Sequence, residues 1–398
     1  MTTSTEFRKS GHLPSLVAGL VHFDVSFMVW VLLGALGAYV AQDLALSPAQ
    51  KGLMVALPPL GGAAFRLVLG SLAERVGMKA TGLTSMALTF VPLAWASLAG
   101  GSFAQVLGIG LLLGIAGASF AIALPLVSRW YPPEHQGLAL GIAGAGNSGT
   151  IIAALAAPRL AEHVGWHAVF GFAAIPVSLA WLAFAVLAKE PPTRPARPAR
   201  GILSLLEEPD ARWLCLFYMA TFGGFVGLAN YLPIYFTDRF SMTKVAAGGC
   251  AALCAVAGSL LRPVGGAVSD RVGGTSVLIG VLATVAAAGV VLATLPALAP
   301  TIVLLFATLG SLGIGNGAVF QLVPQRFPDR VGQMTGLVGA AGGVGGFLLP
   351  FGLGSLTQLT GGFAMGFAVF ALAAASASLI VRSRRRVWRS TWSLEGAL

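Results

Sequence analysis

Runs of about 20 or more apolar residues alternate with short polar breaks along almost the whole chain. Because an α-helix needs about 20 apolar residues to cross the hydrocarbon core of a bilayer, each run predicts one transmembrane helix. The pattern therefore predicts an all-α polytopic membrane protein with 12 transmembrane helices. We number these spans 1 to 12, and they cover residues 14–40, 52–73, 79–99, 103–128, 136–158, 166–188, 213–236, 245–268, 275–295, 299–322, 333–358 and 362–381.

The longest polar interval separates the spans into two sets of six. Residues 189–212 are rich in Pro, Arg and acidic residues, a composition typical of an extended linker followed by a short surface helix. This division predicts an N-terminal six-helix bundle over residues 1–188, a cytoplasmic linker over 189–212 and a C-terminal six-helix bundle over 213–398.

The composition agrees with a membrane protein, and the basic residues predict its orientation. The chain is 56% apolar and only 10% charged, against about 25% charged residues in soluble domains. Of 24 Lys and Arg residues, 18 fall on the predicted side of the termini and the linker, four on the other side and two inside spans. By the positive-inside rule both termini are expected in the cytoplasm, which predicts a multi-pass protein of the cell inner (cytoplasmic) membrane.

This distribution also explains the net charge of +10 without a nucleic-acid partner. We expect the basic C-terminal run RSRRRVWR to contact anionic lipid of the surrounding bilayer. The three cysteines, Cys215, Cys250 and Cys254, lie in apolar segments with no accompanying His cluster, so we expect no metal and no cofactor.

The two basic residues inside spans carry the most information about function. Arg66 lies in FRLVLGSLAERVG and Arg262 in LRPVGGAVSDRVG, 196 residues apart, and neither stretch offers a carboxylate at that depth. A guanidinium at mid-membrane depth costs about 2.5–3.5 kcal/mol on insertion scales. Two such cations repel each other unless an anion lies between them, so the pair predicts an anion site. A planar guanidinium with paired N–H donors suits two oxygens of a planar oxyanion.

The same offset of 196 residues relates further positions, which predicts two half-domains of like orientation. The related pairs are Gly70 and Gly266, Glu74 and Asp270, Arg75 and Arg271, Gly77 and Gly273, Gly146 and Gly342, and Gly149 and Gly345.

The segments GSLAERVG and GAVSDRVG resemble the Gly-x-x-x-Asp-Arg-x-Gly loop of major facilitator superfamily transporters. Glu74 stands where that loop usually has Asp. The resemblance implies the major facilitator fold and transport by alternating access. It also implies that Glu74, Arg75, Asp270 and Arg271 pair with neighbouring helix ends and serve gating, not substrate binding.

The runs GLALGIAGAGNSGT of span 5 and GLVGAAGGVGGFLLP of span 11 resemble the signatures of the nitrate/nitrite porter family, as do HFDVSFMVWVLLGALG in span 1 and the two arginines. This resemblance implies a secondary active transporter of nitrate and/or nitrite, with Arg66 and Arg262 clamping the anion. The other residues that it implies are Asn147 as a donor, Phe27, Phe120, Tyr218 and Phe222 around the site, Phe320 and Gln321 as weaker candidates, and the signature glycines Gly144, Gly146, Gly149, Gly342, Gly343 and Gly345. Plain helix packing is an alternative role for each glycine.

An inside-negative membrane potential expels a lone anion, at about 2.3 kcal/mol per charge and 100 mV, so uptake needs proton symport or exchange for another anion. Asp24 is the only one of 14 acidic residues within a predicted span, and His22 stands two residues before it. We hypothesise that Asp24 or His22 takes part in proton coupling. A hydrogen bond at a helix end is the alternative.

The sequence is also compatible with other functions. Another small monovalent anion such as a monocarboxylate would also satisfy two arginines, and an anion channel is a further alternative. An intramembrane enzyme is not expected, because it needs a nucleophile–base pair or metal ligands within the spans, where His22 and Asp24 form the only pair of that kind. The sequence leaves open nitrate against nitrite, symport against exchange, the direction of transport and the oligomeric state, for which a monomer is the default.

Overall fold

The computed structural model describes residues 7, 10–192 and 201–392, and within these residues it is helical with no strand. Eleven helical segments there are long and apolar enough to cross a membrane, and the one over Ala139–Leu187 contains Gly165 with a non-helical φ of 77°, which divides it into spans 5 and 6. The predicted all-α fold of twelve spans is confirmed. The remaining bounds are Leu13–Trp30, Leu32–Ala35 and Gly37–Asp43 (span 1), Pro48–Val76 (2), Met78–Leu98 (3), Phe103–Gly117 and Phe120–Ser128 (4), Pro133–Gly144 and the 3-10 helix Ala145–Ser148 (start of 5), Gly149–Leu187 (rest of 5, and 6), Pro209–Phe240 (7), Lys244–Val272 (8), Gly274–Ala293 (9), Leu298–Arg326 (10), Val331–Thr360 (11) and Ala364–Thr391 (12).

Three spans of the first half are interrupted near their middle, where the sequence predicted continuous helices. Span 1 breaks at Val31 and Leu36, span 4 between Gly117 and Phe120, and span 5 at the 3-10 turn Ala145–Ser148. Their counterparts in the second half, spans 7, 10 and 11, are continuous. Interrupted helices at membrane depth expose backbone carbonyls, which need partners from other spans or a ligand.

Two helix bounds at the ends of the second half differ from the predicted spans. The surface helix expected at the end of the linker is a 3-10 helix over Ile202–Glu207, and span 7 begins at Pro209. Span 12 continues to Thr391, ten residues past its predicted end. The reason is a polar anchor: the Asp210 carboxylate accepts hydrogen bonds from the indoles of Trp388 (2.8 Å) and Trp392 (3.2 Å). Residues 193–200 of the predicted linker lie outside the described residues.

The start of span 1 and the end of span 6 lie at the same membrane face, because the Lys189 N–H donates to Ser15 Oγ at 2.9 Å. The Asp210 anchor joins the start of span 7 to the end of span 12 there. We name this face the linker side and the opposite face the far side.

At the far side the two halves contact each other directly. Lys51 of span 2 forms an ion pair with Asp238 of span 7 at 2.7 Å, and Gln358 of span 11 accepts from the Ala49 N–H at 3.1 Å. Glycines whose added Cβ would have no neighbour within 4 Å occur at both faces, for example Gly141 and Gly266 toward the linker side and Gly165 and Gly249 toward the far side.

Candidate functional site: a buried arginine pair

Arg66 lies near the middle of span 2 and is 1% exposed. Its Nε donates to the carbonyl of Gly117 at 3.0 Å, and its Nη1 donates to the carbonyl of Gly339 in span 11. The Gly117 carbonyl is free to accept because span 4 breaks there, and the Ala121 N–H bonds to Ala118 instead. Two carbonyls, one from each half, therefore fix the Arg66 guanidinium, while its Nη2 has no hydrogen-bond partner among the described residues.

Three aromatic rings surround this guanidinium. Its Cζ lies 5.0 Å from the ring centre of Trp30, 5.2 Å from Phe222 and 5.5 Å from Phe120. Trp30 is itself fixed, because its Nε1 donates to the Pro58 carbonyl at 2.7 Å and its ring fills the space left by the missing side chain of Gly117. Trp30 was not among the predicted site residues. Its position three residues after Phe27, on a similar helix face, was the available signal.

Arg262 lies in span 8 and is 8% exposed. Its Cζ is 5.6 Å from the ring centre of Phe120 and 5.5 Å from Phe320. Phe120 thus contacts both guanidinium groups, and the sum of its two distances, 11.1 Å, is an upper limit on their separation. The Nη1 of Arg262 has no hydrogen-bond partner among the described residues. The structure therefore brings the predicted arginine pair together across the two halves.

The other predicted aromatic residues form a continuous wall at the pair. Tyr218 and Phe222 stack with centroids 4.9 Å apart and an interplanar angle of 5°, and Phe222 meets the edge of Phe27 at 6.4 Å. The Tyr218 ring also contacts Phe320 at 4.9 Å. The Tyr218 hydroxyl lies beside both arginines and makes no hydrogen bond of regular geometry. Phe320, a weaker candidate from the sequence, is thus at the site.

Two asparagines are fully buried with both amide atoms unpaired among the described residues. Asn147, a predicted donor, lies in the 3-10 turn of span 5, where its own carbonyl accepts from Ser259 Oγ of span 8 at 3.4 Å. Asn316 of span 10 was not predicted. It precedes Phe320 by one helical turn, and its neighbour Gly317 packs against the Arg262 backbone, so it lies on the spans that form the site.

Unpaired polar groups of this kind cost about 1–3 kcal/mol each when buried, so a cluster of them points to a polar occupant. Gln321, the other weaker candidate, contacts Gly274 at the start of span 9 and not the arginines in the structure.

Five of the six signature glycines lie where two helices approach each other closely. Gly146 and Gly149 contact Phe23 and Asp24 of span 1, whereas Gly342 and Gly345 contact Tyr218 and Met219 of span 7. Gly343 contacts Pro59 and Ala63 of span 2, one turn before Arg66, whereas Gly144 faces open space. A Cβ at Gly342 would lie 2.7 Å from the Tyr218 ring, so this glycine makes room for the aromatic wall.

The predicted coupling residues do not contact the arginines. The Asp24 carboxylate accepts a hydrogen bond from Ser148 Oγ at 2.6 Å and from the Gly149 N–H, which ties span 1 to the broken segment of span 5. His22 is fully buried against the ring of Phe184 at 4.9 Å, and its Nε2 is unpaired among the described residues. Asp24 is thus one helical turn from the site residue Phe27, while His22 faces span 6.

The predicted gating residues lie at the linker side. Burial lowers the pKa of Arg129, at the end of span 4, while the nearby carboxylates of Glu74 and Glu190 raise it. Glu190 also accepts from the Met78 and Lys79 N–H groups at 3.0 and 2.7 Å, which caps span 3. The sequence did not predict this cap. The other predicted gating residues are exposed, namely Arg75, Asp270 and Arg271.

Comparisons with known proteins agree with this architecture. The sequence pattern of the Major Facilitator Superfamily matches residues 18–350. A bacterial homolog of the human lysosomal transporter Spinster, in an inward-facing and occupied conformation, has a TM-score of 0.67 at 17% identity and covers 96% of this chain and 97% of its own. The match over residues 18–350 therefore places the chain in a superfamily of membrane transporters.

The more similar relatives define the family within that class. The nitrite extrusion protein of Bacillus subtilis is 36% identical over 92% of this chain and 91% of its own length. The probable nitrate/nitrite transporter NarK2 of Mycobacterium tuberculosis is 37% identical over 87% of this chain and 89% of its own length. The probable nitrate/nitrite antiporter NarK1 of Thermus thermophilus is 31% identical over 82% of this chain and 81% of its own length. The chain belongs to the major facilitator superfamily and, within it, to the nitrate/nitrite porter family.

Proposed function

We propose that this protein is a secondary active transporter of nitrate and/or nitrite and that Arg66 and Arg262 bind the anion together. The observation that carries the proposal is the single ring of Phe120 in contact with both buried guanidinium groups. The names of the relatives support the choice of substrate. Asn147, Tyr218, Phe27 and Phe222 complete the site in this proposal.

Electrostatics favours an anion between the arginines. Two unit charges 11 Å apart repel by about 1.5 kcal/mol at an effective dielectric constant of 20. An anion midway between them gains about 3 kcal/mol from each, so the attraction exceeds the repulsion about fourfold. Without the anion the repulsion and the desolvation of two cations are both uncompensated.

The shape of the site suits a flat anion. The parallel rings of Tyr218 and Phe222 provide an apolar face, and the unpaired Nη groups of both arginines provide donors beside it. Nitrate and nitrite are planar and accept hydrogen bonds in their plane, which matches the planar fork of a guanidinium. A small monocarboxylate is the second candidate, because its carboxylate presents the same two oxygens.

Transport by alternating access follows from the contacts between the halves. The ion pair of Lys51 with Asp238 and the hydrogen bond from the Ala49 N–H to Gln358 join the two halves at the far side. We infer that the linker side faces the cytoplasm of a cell whose inner membrane holds the protein as a monomer. Bound anion would screen Arg66 from Arg262 and let the halves change their relative tilt.

The direct test is counterflow in proteoliposomes with nitrate, nitrite and the pH gradient varied independently. We expect uptake of labelled nitrate, driven by internal nitrite for exchange or by an acid outside for symport. Formate and lactate should not compete, whereas competition by either at equal concentration identifies a monocarboxylate transporter. Single-channel currents would instead assign the protein as a channel.

Asp24 is our candidate for proton coupling, with His22 as the second. The support for Asp24 is that its carboxylate joins span 1 to the broken part of span 5, and both of these spans reach the site. In the Asp24→Asn variant we expect proton-driven uptake to fall while exchange without a pH gradient continues. Ser148→Ala, which removes the hydrogen bond and keeps the acid, is the matched control. Full proton-driven uptake by Asp24→Asn would exclude this role.

A further inference from the structure

An apolar groove runs along the second half, between spans 7, 9, 11 and 12, and some of its lining residues, such as Leu348 and Val369, are exposed. Its volume is 330 Å³, and all of its lining residues except Ser376 are apolar or glycine. It contains neither arginine of the anion site. Small residues of span 12 such as Ala373 and Ala377, at helical spacing on one face, leave this space beside span 11.

The groove is longer than one leaflet of a bilayer. On span 12 its lining extends from Gly366 to Ile380, a rise of about 21 Å at 1.5 Å per residue. One leaflet contributes about half of the 30 Å hydrocarbon thickness. An extended hydrocarbon chain therefore fits along the groove, and acyl chains are what the surrounding membrane supplies.

A cation lies where the groove ends at the linker side. Ile380 of span 12 and Leu216 of span 7 line that end. One helical turn further toward the linker side, Arg384 stacks on Trp213 with its Cζ 4.6 Å from the ring centre. The Arg384 Nε is buried and has no hydrogen-bond partner among the described residues. The stack fixes a charged donor that the protein leaves unused.

We propose that this groove holds one acyl chain of an anionic phospholipid whose phosphate accepts a hydrogen bond from Arg384. The apolar lining takes the chain, and the guanidinium one turn beyond it takes the headgroup. Basic sites between transmembrane helices bind anionic headgroups in this manner. The proposal does not depend on which anion the protein transports.

The test is native mass spectrometry of the full chain in detergent, with phosphatidylglycerol or phosphatidylcholine added as the probe. Arg384→Gln should weaken phosphatidylglycerol binding about fivefold, the effect of one basic residue at a membrane surface. Arg386→Gln is the matched control, because this exposed arginine lies on the same helix two residues away, and we expect less than about a twofold change. Equal losses in both variants would mean diffuse charge attraction and overturn the site.

Filling the groove separates the chain from the headgroup. Ala373→Phe should weaken binding of both lipids, whereas Leu372→Phe, whose position is 68% exposed and outside the lining, should leave it unchanged. If Ala373→Phe does not fold, as judged by gel filtration, Ala373→Val is the milder variant. Unchanged lipid binding in a folded Ala373 variant, or no preference of the wild-type chain for phosphatidylglycerol, would overturn the proposal.

Discussion

Arg66 and Arg262 occupy equivalent positions of the two halves, yet the protein holds them differently. Two backbone carbonyls and three rings fix the guanidinium of Arg66, whereas two rings contact that of Arg262 and no carbonyl does so among the described residues. The cause lies in the neighbouring helix. Span 4 breaks at Gly117 and frees a carbonyl, while the equivalent Gly313 lies inside the continuous span 10 against the Gly258 backbone.

Sequence symmetry therefore does not ensure that the two arginines have the same role at the site. A guanidinium already bound to two carbonyls keeps its position when the anion leaves. The Arg262 group is also more exposed, and its Nη1 has no hydrogen-bond partner among the described residues. We therefore expect Arg66 to be the fixed part of the site and Arg262 to be the part that responds to anion binding.

Exchanging each arginine for lysine should give the largest difference between the two residues. Arg66→Lys should lower kcat/KM for nitrate uptake about 100-fold or more, because the compact ammonium lacks the planar fork that reaches both carbonyls and the anion at once, and each charged hydrogen bond contributes about 1.5–3 kcal/mol. Arg262→Lys should lower kcat/KM about tenfold, because it removes one such hydrogen bond. Arg159→Lys, at an exposed arginine, is the control. Equal losses at both sites would show that the two arginines are equivalent.

Phe120 tests what the two arginines share. Phe120→Leu removes ring contacts to both guanidinium groups, so it should raise KM for nitrate about 30-fold, from two interactions of about 1 kcal/mol each. Phe320→Leu removes a ring contact to Arg262 but none to Arg66 and should raise KM about fivefold. A larger effect at Phe320 than at Phe120 would contradict the shared position of the Phe120 ring.

Trp30 tests whether the fixation of Arg66 matters. Trp30→Phe keeps an aromatic ring but removes the hydrogen bond to Pro58, so we expect kcat/KM to fall about fivefold, for a bond of about 1 kcal/mol. Trp95→Phe is the matched control, because Trp95 lies on span 3 away from the pair. Uptake kinetics in proteoliposomes give the result, and unchanged kinetics in Trp30→Phe would show that Arg66 needs no support from this ring.

Replacing the two unpaired amides, Asn147 and Asn316, should have the smallest effect on transport. Asn147→Leu and Asn316→Leu should each raise KM about threefold to fivefold by removing a donor. Both should also raise the apparent Tm of the anion-free protein by about 1–2 °C, because a buried unpaired amide is replaced by an apolar group. Thermal unfolding with and without nitrate measures both effects. A lower Tm for Asn316→Leu would show that this amide is a structural residue.

Much of the fold followed from local patterns. The lengths of the apolar runs predicted twelve spans, because the bilayer thickness sets the length of a crossing helix. The arginine pair followed from the 196-residue repeat, and the signature glycines followed from the family resemblance. The sequence did not predict Trp30 or Asn316, because a tryptophan or an asparagine in an apolar run has several possible environments and its neighbours in space come from distant spans.

Local patterns failed where long-range contacts decided the outcome. The extension of span 12 depends on Asp210, which is 178 residues away from Trp388. Gln321 stood beside Phe320 in the sequence, but a helix sends adjacent side chains about 100° apart, and Gln321 faces span 9 instead of the arginines.

The sequence by itself determined that the chain spans a membrane in two related halves and that each half buries one guanidinium without a carboxylate beside it. The length of an apolar run and the presence of a charge within it are local properties that the sequence shows directly. Only the tertiary structure decided which arginine is fixed and which is free. Part of that difference comes from the break in span 4, which leaves the Gly117 carbonyl without a helical hydrogen bond and free to accept from Arg66.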